Sequence, residues 1–239
     1  MRCAIMQPTY FPWAGYFNLI SRVDAFVFLD DVQFLRQSWH NRNRVLLNGA
    51  PHWLSVPVER VTLGRCINEV VADDKHRWRD KHVKLLRNVY SKHPHGKDLL
   101  SGIEDLIASG PPVLADLNIR IITALCARLG IGTRLLTSSS LGIAGRRTGK
   151  VIAICEQLGA DEYLSPPGSA DYLAEDGFEA STRVALLFNQ FEPQAYPQRG
   201  AGDFVSHLSI IDIIANIGWQ DSARYIRGEP AATEQKGTP

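Results

Sequence analysis

Two apolar runs, residues 3–6 and 25–29, bracket one short helical pattern over residues 14–23, and this arrangement constrains the fold more than any other feature. Each run is too short for a helix and unbroken in hydrophobicity, as a strand buried on both faces must be. Strand, helix and strand within the first 31 residues make a compact βαβ unit, whose right-handed crossover sets the strands parallel. A parallel pair with a covering helix predicts an α/β protein with a mainly parallel central sheet and flanking helices. The two strands end on one edge of that sheet, the first at Gln7-Pro8 and the second at Asp30-Asp31. Open α/β sheets bind ligands at that edge, where the N–H groups of the following helix also point.

The rest of the chain adds a hairpin and a helical insertion. Residues 43–47 and 52–58 alternate as strands around Asn48-Gly49, a pair suited to a two-residue hairpin turn. A helix is predicted over 74–90, with Trp78, His82, Leu85, Leu86 and Val89 inward and Lys75, Arg77, Arg79, Lys81, Lys84 and Arg87 outward. Helices over 97–108 and 113–129, separated by Gly110-Pro111-Pro112, complete an insertion at about 73–130. The α/β pattern then resumes: strand 134–137, a Ser- and Gly-rich loop 138–149, and helix 149–158 with Thr148 as its N-cap. Strand 162–164 and a strand over 184–188 follow. Helix 208–217 carries Ser209 and Asp212 at capping-box spacing and stops at Gly218. One α/β domain over 1–227 and a disordered polar tail over 228–239 are expected.

Charge and composition narrow the function classes. A net charge of +1 on 239 residues leaves no global field for nucleic acid or anionic membrane, so an anionic partner needs a local patch. Cys3, Cys66, Cys126 and Cys155 form no CxxC pair and read as reduced thiols. No secretory leader is expected, and the most apolar helix is interrupted by Asp116, Arg120 and Arg128, which rules it out as a membrane span. A cytoplasmic protein follows as the expectation. His76, His82, His93 and His95 lack the spacing of metal ligands, so no metal is predicted. The GxxxxGK[ST], GxGxxG and GxSxG motifs are absent.

Three polar clusters remain as candidate chemistry. Gln7 with Asp30 and Asp31 sits at the strand ends; Asp30 and Asp31 are the candidate catalytic pair, with Asp31 as a base, although an Asp after a strand also serves simply to cap a turn. Around Trp39 and His40, strand alternation puts Asn41 and Asn43 on one face and Arg42 and Arg44 on the other. Guanidinium forks suit phosphate or carboxylate, while charge on an edge hairpin also discourages aggregation. The third cluster runs from Ser138-Ser139-Ser140 to Arg146, Arg147, Thr148 and Lys150. Cations at a helix N-terminus oppose the macrodipole unless an anion sits there, which marks Arg146 and Lys150 as anion ligands. Tyr10 and Tyr16 supply further hydrogen-bonding groups beside the first cluster.

Met6-Gln7-Pro8-Thr9-Tyr10-Phe11-Pro12-Trp13-Ala14-Gly15-Tyr16-Phe17-Asn18-Leu19-Ile20 resembles the opening of the WbqC-like family. So do Phe28-Leu29-Asp30-Asp31-Val32-Gln33-Phe34, Trp39-His40-Asn41-Arg42-Asn43-Arg44, Gly142-Ile143 with Thr148, Leu158-Gly159-Ala160 with Tyr163-Leu164-Ser165, and Leu208-Ser209-Ile210-Ile211-Asp212. The resemblance covers nearly the whole chain except the tail. It implies a transferase in bacterial surface-polysaccharide (O-antigen) precursor biosynthesis, attaching an acyl or glycyl group to an amino sugar. A sugar nucleotide and an activated acyl donor would be its small-molecule partners, and no cofactor is assigned. Two other readings stay open: a non-catalytic binding or assembly protein of the same pathway, and an aminoacyl transferase that uses tRNA. The opening strand–turn–helix also looks like that of nucleotidylyltransferases, whose HxGH motif starts the first helix. Gly15 matches its glycine, but Trp13 and Tyr16 stand where the two histidines would be.

Overall fold

The structure, a computed structural model, describes residues 1–60 and 62–229. The opening unit forms as expected: β1 (Arg2–Met6), α1 (Ala14–Ser21) and β2 (Ala25–Phe28), with β1 and β2 parallel and Met6 beside Phe28. β3 (Arg42–Leu47) and β4 (Ala50–Ser55) make a separate antiparallel hairpin. Its turn puts Asn48 at φ 51° and Gly49 at φ 78°, the left-handed pair that a tight hairpin requires. The insertion comprises α2 (Trp78–Tyr90), α3 (Gly96–Ala108) and α4 (Leu114–Arg128). Arg77 is left-handed at φ 51°, so residues 74–76 form a separate 3₁₀ turn and the helix starts later than the apolar periodicity suggests.

After the insertion come β5 (Arg134–Thr137), α5 (Ser138–Leu141), α6 (Arg147–Leu158) and β6 (Glu162–Ser165). The chain continues through α7 (Ala170–Glu175), α8 (Phe178–Ser181), β7 (Ala185–Phe188) and α9 (Ile210–Arg227). The five parallel strands lie in the order β5-β2-β1-β6-β7. Successive crossovers therefore move outward from β1 to β5, then return across β1 to build β6 and β7. The reversal creates a topological switch point between β1 and β6.

Alternation along the strands separates two apolar layers. Ala4, Phe26 and Phe28 face a core shared with α1, α4 and α9, whereas Cys3, Ile5 and Val27 face Val151, Ile154, Leu173 and Phe178 of α6–α8. Fully burying each large apolar side chain contributes about 2 kcal/mol, so both layers hold the sheet and fix where its edges lie.

Three local expectations change. α6 begins at Arg147, so Thr148 lies inside the helix and its hydroxyl donates to Asp176 at 2.8 Å instead of capping. Gly218, at φ 80° and ψ 174°, does break α9, but helix resumes as far as Arg227; a Cβ at Gly218 would lie 2.9 Å from the His95 ring. Ser209 accepts from the Ile211 N–H, yet Asp212 does not close the capping box, because its carboxylate turns inward to Tyr90 and Tyr196. The expected tail falls, from residue 230 onward, outside the described residues. Among the described residues no helix is long and apolar enough to cross a membrane.

Candidate functional site at the carboxyl edge of the sheet

β2 and β5 are neighbours with Phe28 beside Thr137, so the residues that leave them meet at one edge. Asp30 is 4% exposed and accepts from the Ser139 N–H at 2.9 Å and the Ser139 hydroxyl at 2.6 Å. The Ser138 hydroxyl bridges the two acids, 3.0 Å from Asp30 Oδ1 and 2.5 Å from Asp31 Oδ1. Lys150 Nζ, carried by the first turns of α6, lies 2.6 Å from Asp31 Oδ2, with that lysine side chain only 7% exposed. The first and third polar clusters thus converge. A buried ammonium is costly unless paired, and here the anion that offsets the helix dipole is the protein's own Asp31.

This network has unused capacity. One Ser138 proton serves two carboxylates, leaving an acceptor site for a donor on a ligand. Lys150 has three N–H donors and one ion-pair partner among the described residues. The neighbouring elements add groups: the Asn68 N–H donates to the Asp30 carbonyl at 3.0 Å, and Asp116, in the first turn of α4, has its carboxyl pushed up by burial and by the Asp30 charge. Cys66 is half-buried beside the same charges; burial first, then Glu69 and Asp31, push its thiol up, so it is not an activated nucleophile. Among the described residues no group of His, Cys, Asp and Glu is arranged to hold a metal ion.

The remaining predicted residues divide sharply. Gln7 is half-buried at the end of β1, and its side-chain amide makes no hydrogen bond among the described residues. Tyr10 and Tyr16 are buried, their hydroxyls held by His82 Nδ1 at 3.0 Å and the Gln7 carbonyl at 2.9 Å. Asn43 donates to the Tyr10 and Phe11 carbonyls and Asn41 to the Val56 carbonyl, so both amide NH2 groups fasten the hairpin, while Asn41 Oδ1 is buried without a partner among the described residues. Arg42 and Arg44 lie on the opposite hairpin face against Trp53 and Trp39. Arg147 is paired with Asp176 at 2.9 Å, while Arg146 is exposed with no ion pair among the described residues. Ser138 and Ser139 are the partners that strand-end reasoning missed. The signal was present, since they directly follow Thr137, but it needed the strand order to place β5 beside β2.

Residues 7–224 match the WbqC-like protein family, a span that includes both acids, the two serines and Lys150. The chain belongs to that family. A relative of this WbqC-like protein in Mycobacterium tuberculosis (strain ATCC 25618 / H37Rv), the uncharacterized protein Rv1507c, is 32% identical over 230 residues, covering 95% of this chain and 99% of its own. No solved structure matches the WbqC-like chain. The nucleotidylyltransferase relation is not confirmed, and at the start of α1 the ring of Trp13 lies across Gly15 where that motif would carry histidine.

Proposed function

We propose that this WbqC-like protein is a transferase that joins an activated acyl group to an amine on a sugar, with Asp30, Asp31, Ser138, Ser139 and Lys150 as its reactive edge. The observation that carries the reading is the direct Asp31–Lys150 ion pair, with Ser138 bridging Asp31 to Asp30, where β2 and β5 end side by side. In acyl transfer the amine nitrogen bonds to the acyl carbon while the bond to the leaving group breaks, its electron pair departing with that group. Asp31 accepts the proton that the amine loses, and the free N–H groups of Lys150 face the oxygen that gains negative charge. Asp30, held by three donors, positions the two serines. The family supplies the polysaccharide context, and UDP-glucosamine and glycyl or acetyl thioesters are the substrates to try first.

The alternatives have weaker support. An assembly role predicts exposed apolar surface on the insertion, yet the large exposed apolar side chains of the described residues, such as Leu35, Trp39 and Leu63, lie outside α2–α4. A tRNA-using reading needs a continuous basic face, and Arg77, Arg79, Arg87 and Arg147 are instead tied to Asp80, Asp74, Glu104 and Asp176.

The test is a thermal-shift screen with nucleotide-linked amino sugars and acyl thioesters. A selective rise of several degrees, lost in Asp31→Asn and Lys150→Met proteins that still fold, is the expected result. An undiminished shift in both variants would overturn the site.

A further inference from the structure

The hairpin carries a second constellation that the edge chemistry leaves unused. Trp39 and Trp53 are 46% and 42% exposed, although indoles are among the side chains a fold most profitably buries. Their ring centroids are 5.5 Å apart and their planes are inclined by 47°, which makes an open V and not a parallel slot. The Arg42 guanidinium covers one side of Trp53 at 4.1 Å, and the Arg44 guanidinium stands 5.7 Å from Trp39 and 5.8 Å from Trp53, at the fork of the V. Arg44 is held there by a hydrogen bond to the His207 carbonyl at 3.3 Å. Arg42 Nε and Arg44 Nε are both buried and have no hydrogen-bond partner among the described residues, so an anion would be met by the remaining guanidinium N–H groups. Within residues 32–58 the Asp, Glu, Lys and Arg side chains are Arg36, Arg42 and Arg44 alone.

We infer that this ledge is a binding site for a pyranose ring bearing an anionic group, either a phosphate or a carboxylate. The faces of the indoles are electron-rich, so they attract the weakly positive C–H bonds of a sugar ring. A puckered pyranose presents such bonds in more than one direction and seats in a tilted V, whereas a flat nucleobase stacks best between parallel planes. The Arg44 fork then pairs with the anion, a geometry that a guanidinium satisfies bidentately. Three cations in one short segment of a chain of net charge +1 suit a single anionic group better than a long polyanion. Asn43 ties the hairpin to the Tyr10 and Phe11 carbonyls, so the ledge is anchored to the same β1–α1 loop that begins at Gln7. The assignment does not depend on the chemistry proposed for Asp31 and Lys150.

Calorimetric titration with N-acetylglucosamine 1-phosphate, glucuronic acid and uncharged N-acetylglucosamine tests it. Both anionic sugars should bind, the neutral one at least ten-fold more weakly. Trp53→Ala and Arg44→Gln should each weaken the anionic sugars ten-fold or more, while Lys84→Gln, which removes an exposed cation on α2, leaves their binding intact. The two anionic probes separate a phosphate from a carboxylate ligand. Because Trp39 is nearly half exposed, Trp39→Ala keeps the test available if Trp53→Ala fails to fold. No binding by either anionic sugar, or affinities within two-fold of the parent in the ledge variants, overturns the inference. So does a ledge-dependent affinity for a twelve-nucleotide single-stranded RNA or for phosphatidylglycerol vesicles without one for the sugars.

Discussion

Asp30 and Asp212 are both buried carboxylates, 4% and 0% exposed, but their partners differ in kind. Asp212 is enclosed by neutral donors from separate segments: Tyr90 of α2 at 3.0 Å, Tyr196 of the chain before α9 at 2.8 Å, and Asn216 one turn further along α9 at 3.4 Å. Burial pushes its carboxyl up despite those bonds. The Asp30–Asp31 pair lies instead at the end of a strand, answered by two serines and the Lys150 cation, and the Asp31 side chain is 22% exposed. Depth of burial therefore does not separate the two networks; the kind of partner does. In the Asp212 network Tyr90 fastens α2, and Tyr196 the chain before α9, to one acid, whereas the edge network leaves its Asp31 carboxylate partly exposed.

The comparison makes its largest prediction at Asp212. Asp212→Ala leaves the buried Tyr90 hydroxyl and the half-buried Tyr196 hydroxyl without their acceptor, which should cost about 3–5 kcal/mol, read as a lower urea midpoint at unchanged m-value. Asp31→Asn keeps an amide oxygen toward the buried Lys150 ammonium but removes its counter-charge, so it should cost about 2–3 kcal/mol, still less than Asp212→Ala, and it should abolish the ligand-induced thermal shift. If Asp31→Asn proved the more destabilising change, the contrast between a closed and an open acid network would fail.

Acid titration separates the regions next. Burial holds His82 and His40 down to about 4, both at 7% exposure, and His40 Nδ1 accepts the Leu35 N–H at 3.3 Å, a bond that protonation removes. In the unfolded chain both take up a proton near pH 6.5, so the unfolded state binds more protons between pH 6.5 and 4 and stability falls as the pH drops through that window. The loss should reach up to about 3 kcal/mol per histidine. Asp212 has the opposite sign: its raised folded pKa contributes fully below the unfolded value of 3.8 and fades as pH rises through the folded one, so it works against the acid limb set by the histidines. Urea midpoints at pH 7, 5.5 and 4.5 should therefore flatten in His82→Gln and fall more steeply in Asp212→Asn.

How much of this was legible beforehand depended on the range of the interaction. β1, α1 and β2 are set by short-range periodicity and formed where hydrophobicity placed them. The Asn48-Gly49 turn was equally local. The convergence of Asp31 with Lys150 is a long-range fact, since it needs β5 to dock beside β2 and α6 to cross behind the sheet. The macrodipole argument correctly flagged Lys150 as needing an anion, but could not tell an internal carboxylate from a ligand. Asn41 and Asn43 misled for a similar reason: amides suit ligands and backbone carbonyls alike, and only packing showed that the carbonyls of Tyr10, Phe11 and Val56 take them.

The smallest expected effect concerns which part of the edge is open. A Cβ on Gly15 would come within 2.3 Å of the Trp13 ring, which packs on Phe191 at 5.6 Å and His207 at 4.6 Å over the start of α1. Gly15→Ala gains about 1 kcal/mol of helix propensity, but it must displace Trp13 from those contacts, so a net loss of about 1 kcal/mol is expected. Trp13→Ala removes the obstruction. In that background the same Gly15→Ala change should stabilise by up to about 1 kcal/mol, and this reversal of sign is what urea denaturation of the four proteins would reveal. A positive effect of Gly15→Ala in both backgrounds would mean that Trp13 does not rest on the start of α1. The switch-point crevice would then be as open to ligands as the Asp30–Asp31 edge, and the contrast between closed and open regions would have to be redrawn on the sheet edge itself.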